Sequence, residues 1–281
     1  MKNRGINKKV STLLAMTVVT MVLFSLKACA KELENSDSIV MTTTQPYVLI
    51  GVAGADDIII DWGDGKLSNI NEVDLCDITH LFWFSHSYSV TITRNIVIYG
   101  SVTSLDCSGM GLTALDISRS TGMTYLRCYN NLLTRMDVSR NTTLKVLNCS
   151  SNQLTSLDVS RNVALTSLGC YDNPLAAFDV SNNPALEDLG FGGNHLTTLD
   201  LSRNTALIDL YVNNTPITNL DVTKNTAIRG MSVERNKLTS LDVSANTALK
   251  FLSVGDNQLT TSALNELFWS LPDNPNPETK N

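Results

Sequence analysis

Histidine is nearly absent from this chain: there are three in 281 residues, at positions 80, 86 and 195. None belongs to a G-x-S-x-G, H-E-x-x-H or comparable set, and no phosphate loop or dinucleotide fingerprint stands elsewhere. Asp61 with Asp64 could be read as an acid–base pair, yet the glycines around them make a turn the more economical account. No enzymatic chemistry is expected, and no cofactor or metal. Bases are also the minority charge, 21 Lys and Arg against 27 Asp and Glu. Five of the bases and no acid fall in the first 28 residues, so the remainder carries 16 against 27, a net charge of −11. A chain that acidic repels polyphosphate, which sets aside nucleic acid and anionic membrane surfaces as ligands. Long apolar runs are missing after residue 26, so no transmembrane segment is expected beyond the leader.

That leader is built from a basic start, MKNRGINKK, an apolar run, VSTLLAMTVVTMVLFSL, and the closing Leu26-Lys27-Ala28-Cys29. The order is that of a secretory signal peptide over residues 1–28. The last four residues resemble a bacterial lipobox, which implies that Cys29 becomes the diacylated first residue of the mature protein. The rival reading is an uncleaved signal anchor, for which an apolar run of about 17 residues is marginal. A lipid-bearing Cys29 predicts membrane contact through acyl chains alone. Residues 29–38 read as a charged tether. Its composition is similar to that of surface-delivered lipoproteins of the Bacteroides group, which implies an outer-membrane lipoprotein exposed at the cell surface.

Residues 39–100 are short β-branched and aromatic runs broken by Gly, Asp and Asn, the texture of a small β-sandwich. Asp61-Trp62-Gly63-Asp64-Gly65 followed by Ser85-His86-Ser87-Tyr88 resembles the PKD-type immunoglobulin-like domain, with Trp62 as its buried plug. This region runs without a linker into a repeat array that begins at residue 101, so it is expected to cap that array.

From Leu105 the chain repeats every 21 residues: Leu126, Leu147, Leu168, Leu189, Leu210, Met231 and Leu252 hold the lead position. Two on stand Cys107, Cys128, Cys149, Cys170, Phe191, Val212, Val233 and Val254, and four further apolar columns keep the same step. One of these, twelve on from the lead, ends at Leu264. A fixed period without insertions means identical coils stacked so that equivalent residues form columns. The pattern L-x-[CV]-x-x-N-x-L, with Asn131, Asn152, Asn173, Asn194, Asn236 and Asn257, resembles the internalin-like leucine-rich repeat. Thr215 and Met110 interrupt its Asn slot. The expected fold is mainly β: a solenoid of 21-residue coils over residues 101–272, capped by the N-terminal sandwich and a short C-terminal helix. Leu264, Leu267, Phe268 and Leu271 would form the buried helix face. Residues 273–281 read as a polar tail.

Four Cys in one column could suggest zinc or disulfides. A straight file cannot converge tetrahedrally on one metal, and the column continues as Phe and Val, so buried thiols are expected. Eleven on from the lead runs a file of carboxylates, from Asp116 through Asp137 and Asp158 to Asp242. Neighbours at strand spacing repel, so compensation is expected from a parallel Arg column and from Ser and backbone donors in the same turn.

Positions flanking the lead residue point to the open, concave side of the strands and vary from coil to coil. Tyr125, Arg127, Tyr129, Asn148, Tyr171 and Tyr211, with the acidic Asp188, Asp209 and Glu234, are the candidate partner-binding residues, since Tyr and Arg are favoured anchors. The expected function is non-catalytic: adhesion to a protein partner, with a host surface protein as one candidate. A glycan bound by stacked tyrosines and a purely structural envelope role are the alternatives.

Overall fold

The computed structural model describes residues 37–69 and 81–271, with backbone only at residues 55–57. The leader with Cys29, most of the tether, Cys76, His80 and the tail lie outside the described residues.

The chain begins with β1 (Ser38–Thr43), β2 (Tyr47–Asp61), β3 (Leu67–Asn69), β4 (Phe82–Ser87), β5 (Arg94–Asp106) and β6 (Ala114–Asp116). Short strands of three residues then recur at the repeat step: β7 (Tyr125–Arg127), β8 (Val146–Asn148), β9 (Ser167–Gly169), β10 (Asp188–Gly190), β11 (Asp209–Tyr211), β12 (Gly230–Ser232) and β13 (Phe251–Ser253). These seven pair in parallel and in register, Leu126 with Leu147, Leu147 with Leu168 and so on to Met231 with Leu252. Each strand is short because the chain turns sharply four residues past the lead. There Asn130, Ser151, Asp172, Asn214, Arg235 and Asp256 all take positive φ, as do Gly109 and Gly193 in the same slot. A left-handed residue cannot continue a strand, so every coil bends at the same place.

The apolar columns fill the inside. Cys107, Cys128, Cys149, Cys170, Phe191, Val212 and Val233 are fully buried, and one continuous core runs from Ile39 to Leu267. Within that core the Asn column is the polar stitch. Asn152 Nδ2 donates to Cys128 O (3.0 Å) and Cys149 O (3.0 Å), while its Oδ1 accepts from Leu133 N (3.0 Å). One amide thus satisfies carbonyls of two coils and a turn N–H that would otherwise be orphaned. Where Thr215 replaces Asn, its N and Oγ1 both turn to Asn236 Oδ1, at 2.8 and 2.7 Å.

A second Asn column, which the repeat pattern above does not include, runs fifteen on from the lead: Asn141, Asn162, Asn183, Asn204, Asn225 and Asn246, all fully buried. Asn162 Nδ2 donates to Val138 O (3.0 Å) and Asn141 O (2.8 Å), and each member repeats this one coil further on. Both amide hydrogens are used, while the Oδ1 atoms of this column have no hydrogen-bond partner. The column therefore stitches by donation alone.

The N-terminal strands join the solenoid at two points. The end of β5 is the first rung of the parallel sheet, Leu105 pairing with Leu126, so the junction at residues 100 and 101 falls inside one strand. β1 pairs antiparallel with β5 on one side and with β6 on the other. β2 pairs with β3, β4 and β5. Ile39, Met41, Ile96 and Ile98 of these strands are all fully buried.

Trp62 is buried, as its place in the Asp-Trp-Gly-Asp-Gly run suggested. Its ring stacks on His86 (centroids 4.9 Å apart), its Nε1 donates to Ser68 Oγ (2.9 Å), and its carbonyl accepts from Tyr88 OH (2.7 Å). Asp61 and Asp64 accept from backbone N–H groups of Gly63 (2.9 Å) and Lys66 (3.2 Å). Gly63, at φ 74°, lies against Asn95 O with no room for a β-carbon. The turn reading of these two carboxylates is the one their geometry supports.

At the far end α1 (Thr261–Ser270) is N-capped by Thr260, whose Oγ1 accepts from Ala263 N at 3.1 Å. Its buried face differs from the expected one. Leu267 and Ala263 point inward and Leu271 is partly buried, whereas Leu264 and Phe268 are 46% and 55% exposed. Leu264 therefore does not continue the apolar column to which its spacing assigned it. The reason is geometric: the helix packs on a single coil from one side, which covers a stripe narrower than the apolar arc the sequence offers.

Candidate binding face

The open face of the parallel sheet brings six of the nine expected residues together. Arg127, Asn148, Tyr171, Asp188, Asp209 and Tyr211 line one groove of about 270 Å³. Tyr125, Tyr129 and Glu234 stand outside that lining. Tyr125 lies beside the Arg127 guanidinium, 5.2 Å from the ring centroid, and burial pushes its phenol pKa up. Tyr129 is 41% exposed. Glu234 is tied down: its carboxylate accepts from Ser253 Oγ and its N–H donates to Asn213 Oδ1 at 2.8 Å.

Small residues in one coil seat large ones from the coil before it. Tyr171 lies across Gly190, where a β-carbon would collide with the ring, and touches the space over Gly192. Asn148 leans over Gly169 in the same manner, and Asp209 over Gly230. Gly190, Gly192 and Gly230 are consequently buried although their positions flank the lead residue. Strand alternation alone puts these glycines on the exposed face; the signal for their burial is a large polar residue followed about one period later by glycine. Burial of the Tyr171 phenol raises its pKa well above the usual tyrosine value.

Electrostatics divide the groove. Arg127 stands at the β7 end, while Asp188 and Asp209 face each other across β10 and β11. Partial burial, then the neighbouring Asp209 and Glu187, raise the pKa of Asp188 above the ordinary aspartate value. Three coil steps separate Arg127 from Asp188, about 14 Å at strand spacing.

The other charged file is a different kind of object. Asp116, Asp137, Asp158, Asp179, Asp200, Asp221 and Asp242 each accept from the backbone N–H two residues on, at 2.8–2.9 Å. All seven have pKa values below the usual aspartate value, first because of hydrogen bonds from the Ser or Thr two on, with neighbouring bases contributing less where they contribute at all. Of the two compensating sources expected, the turn donors thus outweigh the Arg column. The cysteine file is inert by burial: all four thiols are free, and burial pushes Cys149 up to about 12.

Stacked 21-residue coils, one parallel sheet, a buried Asn column and an open, varied strand face define a β-solenoid of the leucine-rich-repeat fold. Among solved structures, the chain is similar to the functional domain of InlJ from Listeria monocytogenes, described as including a cysteine ladder, at 39% identity and a TM-score of 0.58. That match covers 65% of this chain and 41% of the other. A leucine-rich-repeat protein of Leptospira interrogans (20% identity, TM-score 0.52, 55% of this chain and 43% of that one) shares the fold. So does internalin C2 from Listeria monocytogenes (18%, 0.52, 59% and 77%). The chain thus spans less than half the length of the first two. No family model and no curated protein matches it.

Proposed function

We propose that the chain is a non-catalytic binding protein of a bacterial cell surface whose open strand face docks a protein partner. One observation carries this reading: the residues that vary from coil to coil converge on one groove, with Arg127 at one end, Tyr171 and Tyr211 in its walls and the Asp188–Asp209 pair at the other. Residues that serve only the stack are monotonous, as the buried columns are. A face that mixes aromatic anchors with separated opposite charges suits a folded protein surface, where shape and charge pattern are read together. The internalin-type neighbours support the same class of function.

Lipidation at Cys29, display on the outer membrane, the PKD-like identity of residues 39–100 and a host surface protein as partner form the finer part of the proposal. Glycan binding by stacked tyrosines is less favoured, because Tyr171 already spends ring surface on Gly190 and Gly192. The test is a screen of the mature protein on protein and glycan arrays, repeated with Arg127→Glu and with Tyr171→Ala. A protein ligand lost in both variants supports the reading. Ligands that bind both variants unchanged, or glycans alone, overturn it.

A further inference from the structure

A second hollow lies on the rim of the solenoid, where the chain leaves the strands β10 to β12 and turns. It has a volume of about 520 Å³, larger than the groove on the strand face. Its origin can be read from the columns. Four residues past the lead, Gly193 has its β-carbon space taken by the Asp172 carboxylate of the coil before; six past the lead, Pro216 contributes only a short ring between His195 and Lys237. Between them Thr215 stands where other coils carry the longer Asn, and it is drawn inward by its two bonds to Asn236 Oδ1. The coil that carries Thr215 and Pro216 thus gives up bulk between its two neighbours.

The groups left around this space are donors. His195 and Lys237 occupy the same slot two coils apart, about 10 Å at strand spacing. Among the described residues neither side chain has a hydrogen-bond or ion-pair partner, and the Asn214 amide has none either. Arg235 stands beside Lys237, its Nε 3.5 Å from Asp256 Oδ2, the one carboxylate in the lining. An exposed pair of this kind contributes little to stability, so it is readily rearranged around a competing anion. Among the described residues Asp256 answers Arg235 and leaves Lys237 without an ion-pair partner on an otherwise acidic chain. The inward Asn column and the apolar core do not need these cations, and other coils place Leu132, Gln153, Pro174 and Gln258 in the slot that here holds His195 and Lys237.

We propose that this rim hollow binds a small acidic ligand, whose carboxylate, sulfate or phosphate is held between Lys237, Arg235 and His195. Asn214 and Asp256 are placed to take hydroxyl groups carried by the same ligand. The space suits a molecule of one or two sugar rings, at the small end of ordinary ligand sites. The site is separate from the groove lined by Tyr171 and Asp188 and does not depend on it.

The mature, isotope-labelled protein would be titrated by NMR with sodium glucuronate, sodium sulfate and sodium phosphate in turn. Glucose and sodium chloride at matched ionic strength serve as controls. At least one of the three anions should shift the backbone signals of His195, Asn214 and Lys237 saturably, and which of them does so identifies the anionic group. Affinity should fall at least tenfold in Lys237→Glu and in Arg235→Asn, the latter chosen because Asn tolerates the positive φ at that position. Tyr171→Ala should leave it unchanged. Shifts reproduced by sodium chloride, saturation by none of the three anions, or affinity retained in both rim variants would overturn the proposal.

Discussion

The ring of Tyr171 rests on Gly190, one coil further along the solenoid, in a space that any β-carbon at position 190 would occupy. The groove wall is therefore held by an absence of side chain as much as by the tyrosine itself. Gly190→Ala should displace the ring and destabilise the protein by about 1–3 kcal/mol, the usual range for overpacking. In a Tyr171→Ala background the same change should cost much less. A double-mutant cycle by urea unfolding reads the coupling directly, and an unchanged cost in the two backgrounds would show that the ring is not seated there.

The second Asn column makes an equally local prediction. Asn162→Ala removes the side-chain donors to Val138 O and Asn141 O, and each carbonyl keeps only its backbone donor, Asn141 N and Leu144 N. At about 0.5–1.5 kcal/mol for each lost hydrogen bond, the expected loss is on the order of 1–3 kcal/mol. Asn182→Ala, an exposed site in the same turn region, should stay within about 0.5 kcal/mol. Chemical denaturation compares the two; equal losses would count against the stitching role.

Acid should unfold the protein through its file of turn aspartates. Their folded pKa values lie below the ordinary value of 3.8. For a carboxyl with a depressed folded pKa, the stabilisation is fully present above the unfolded value and is lost as pH falls through the folded one. Urea midpoints should therefore hold steady down to about pH 5 and drop below about pH 4. Asp188, whose pKa is raised, acts with the opposite sign, but it is one group against seven. Replacing Asp158, Asp179 and Asp200 together by Asn should flatten the acid limb; an unaltered pH profile in that triple variant would refute the assignment.

The cysteine file should behave as packing and not as chemistry. With Cys149 pushed up to about 12 by burial, about one thiol in 10⁴ is ionised at pH 8. Alkylation by iodoacetamide should therefore wait for unfolding, and its rate should follow urea concentration. Cys149→Val should cost less than about 1.5 kcal/mol, since Val already fills the same column at positions 212 and 233. Rapid labelling of Cys107, Cys128, Cys149 or Cys170 in the folded protein, located by peptide mapping, would contradict this.

The period carries most of the fold into the sequence. Leu105 to Leu252 specify the sheet, its register and its buried columns, because a solenoid turns one-dimensional spacing directly into neighbourhood. The same count holds the second Asn column, which is hard to notice because its members sit in a turn where Asn has an ordinary local explanation. The pairing of β1 with β6 is not legible, since it depends on which strands meet across a chain end. The helix face comes out too wide because periodicity gives the direction of apolar residues and not how much surface the last coil can cover. Six groove residues are found from exposure and type alone. The rim hollow escapes, because Thr215 and Pro216 each look like common turn residues until their coil is superposed on its two neighbours.

The antiparallel grip of β1 on both β5 and β6 gives the molecule a direction. The first coil is clasped from two sides, while β13 has a neighbour on one side and a single helix beyond it. Among the described residues, the N-terminal rungs are thus held by more strand pairs than the last one. A load applied between β1 and anything held on the strand face would cross the most firmly fastened rungs of the described ladder.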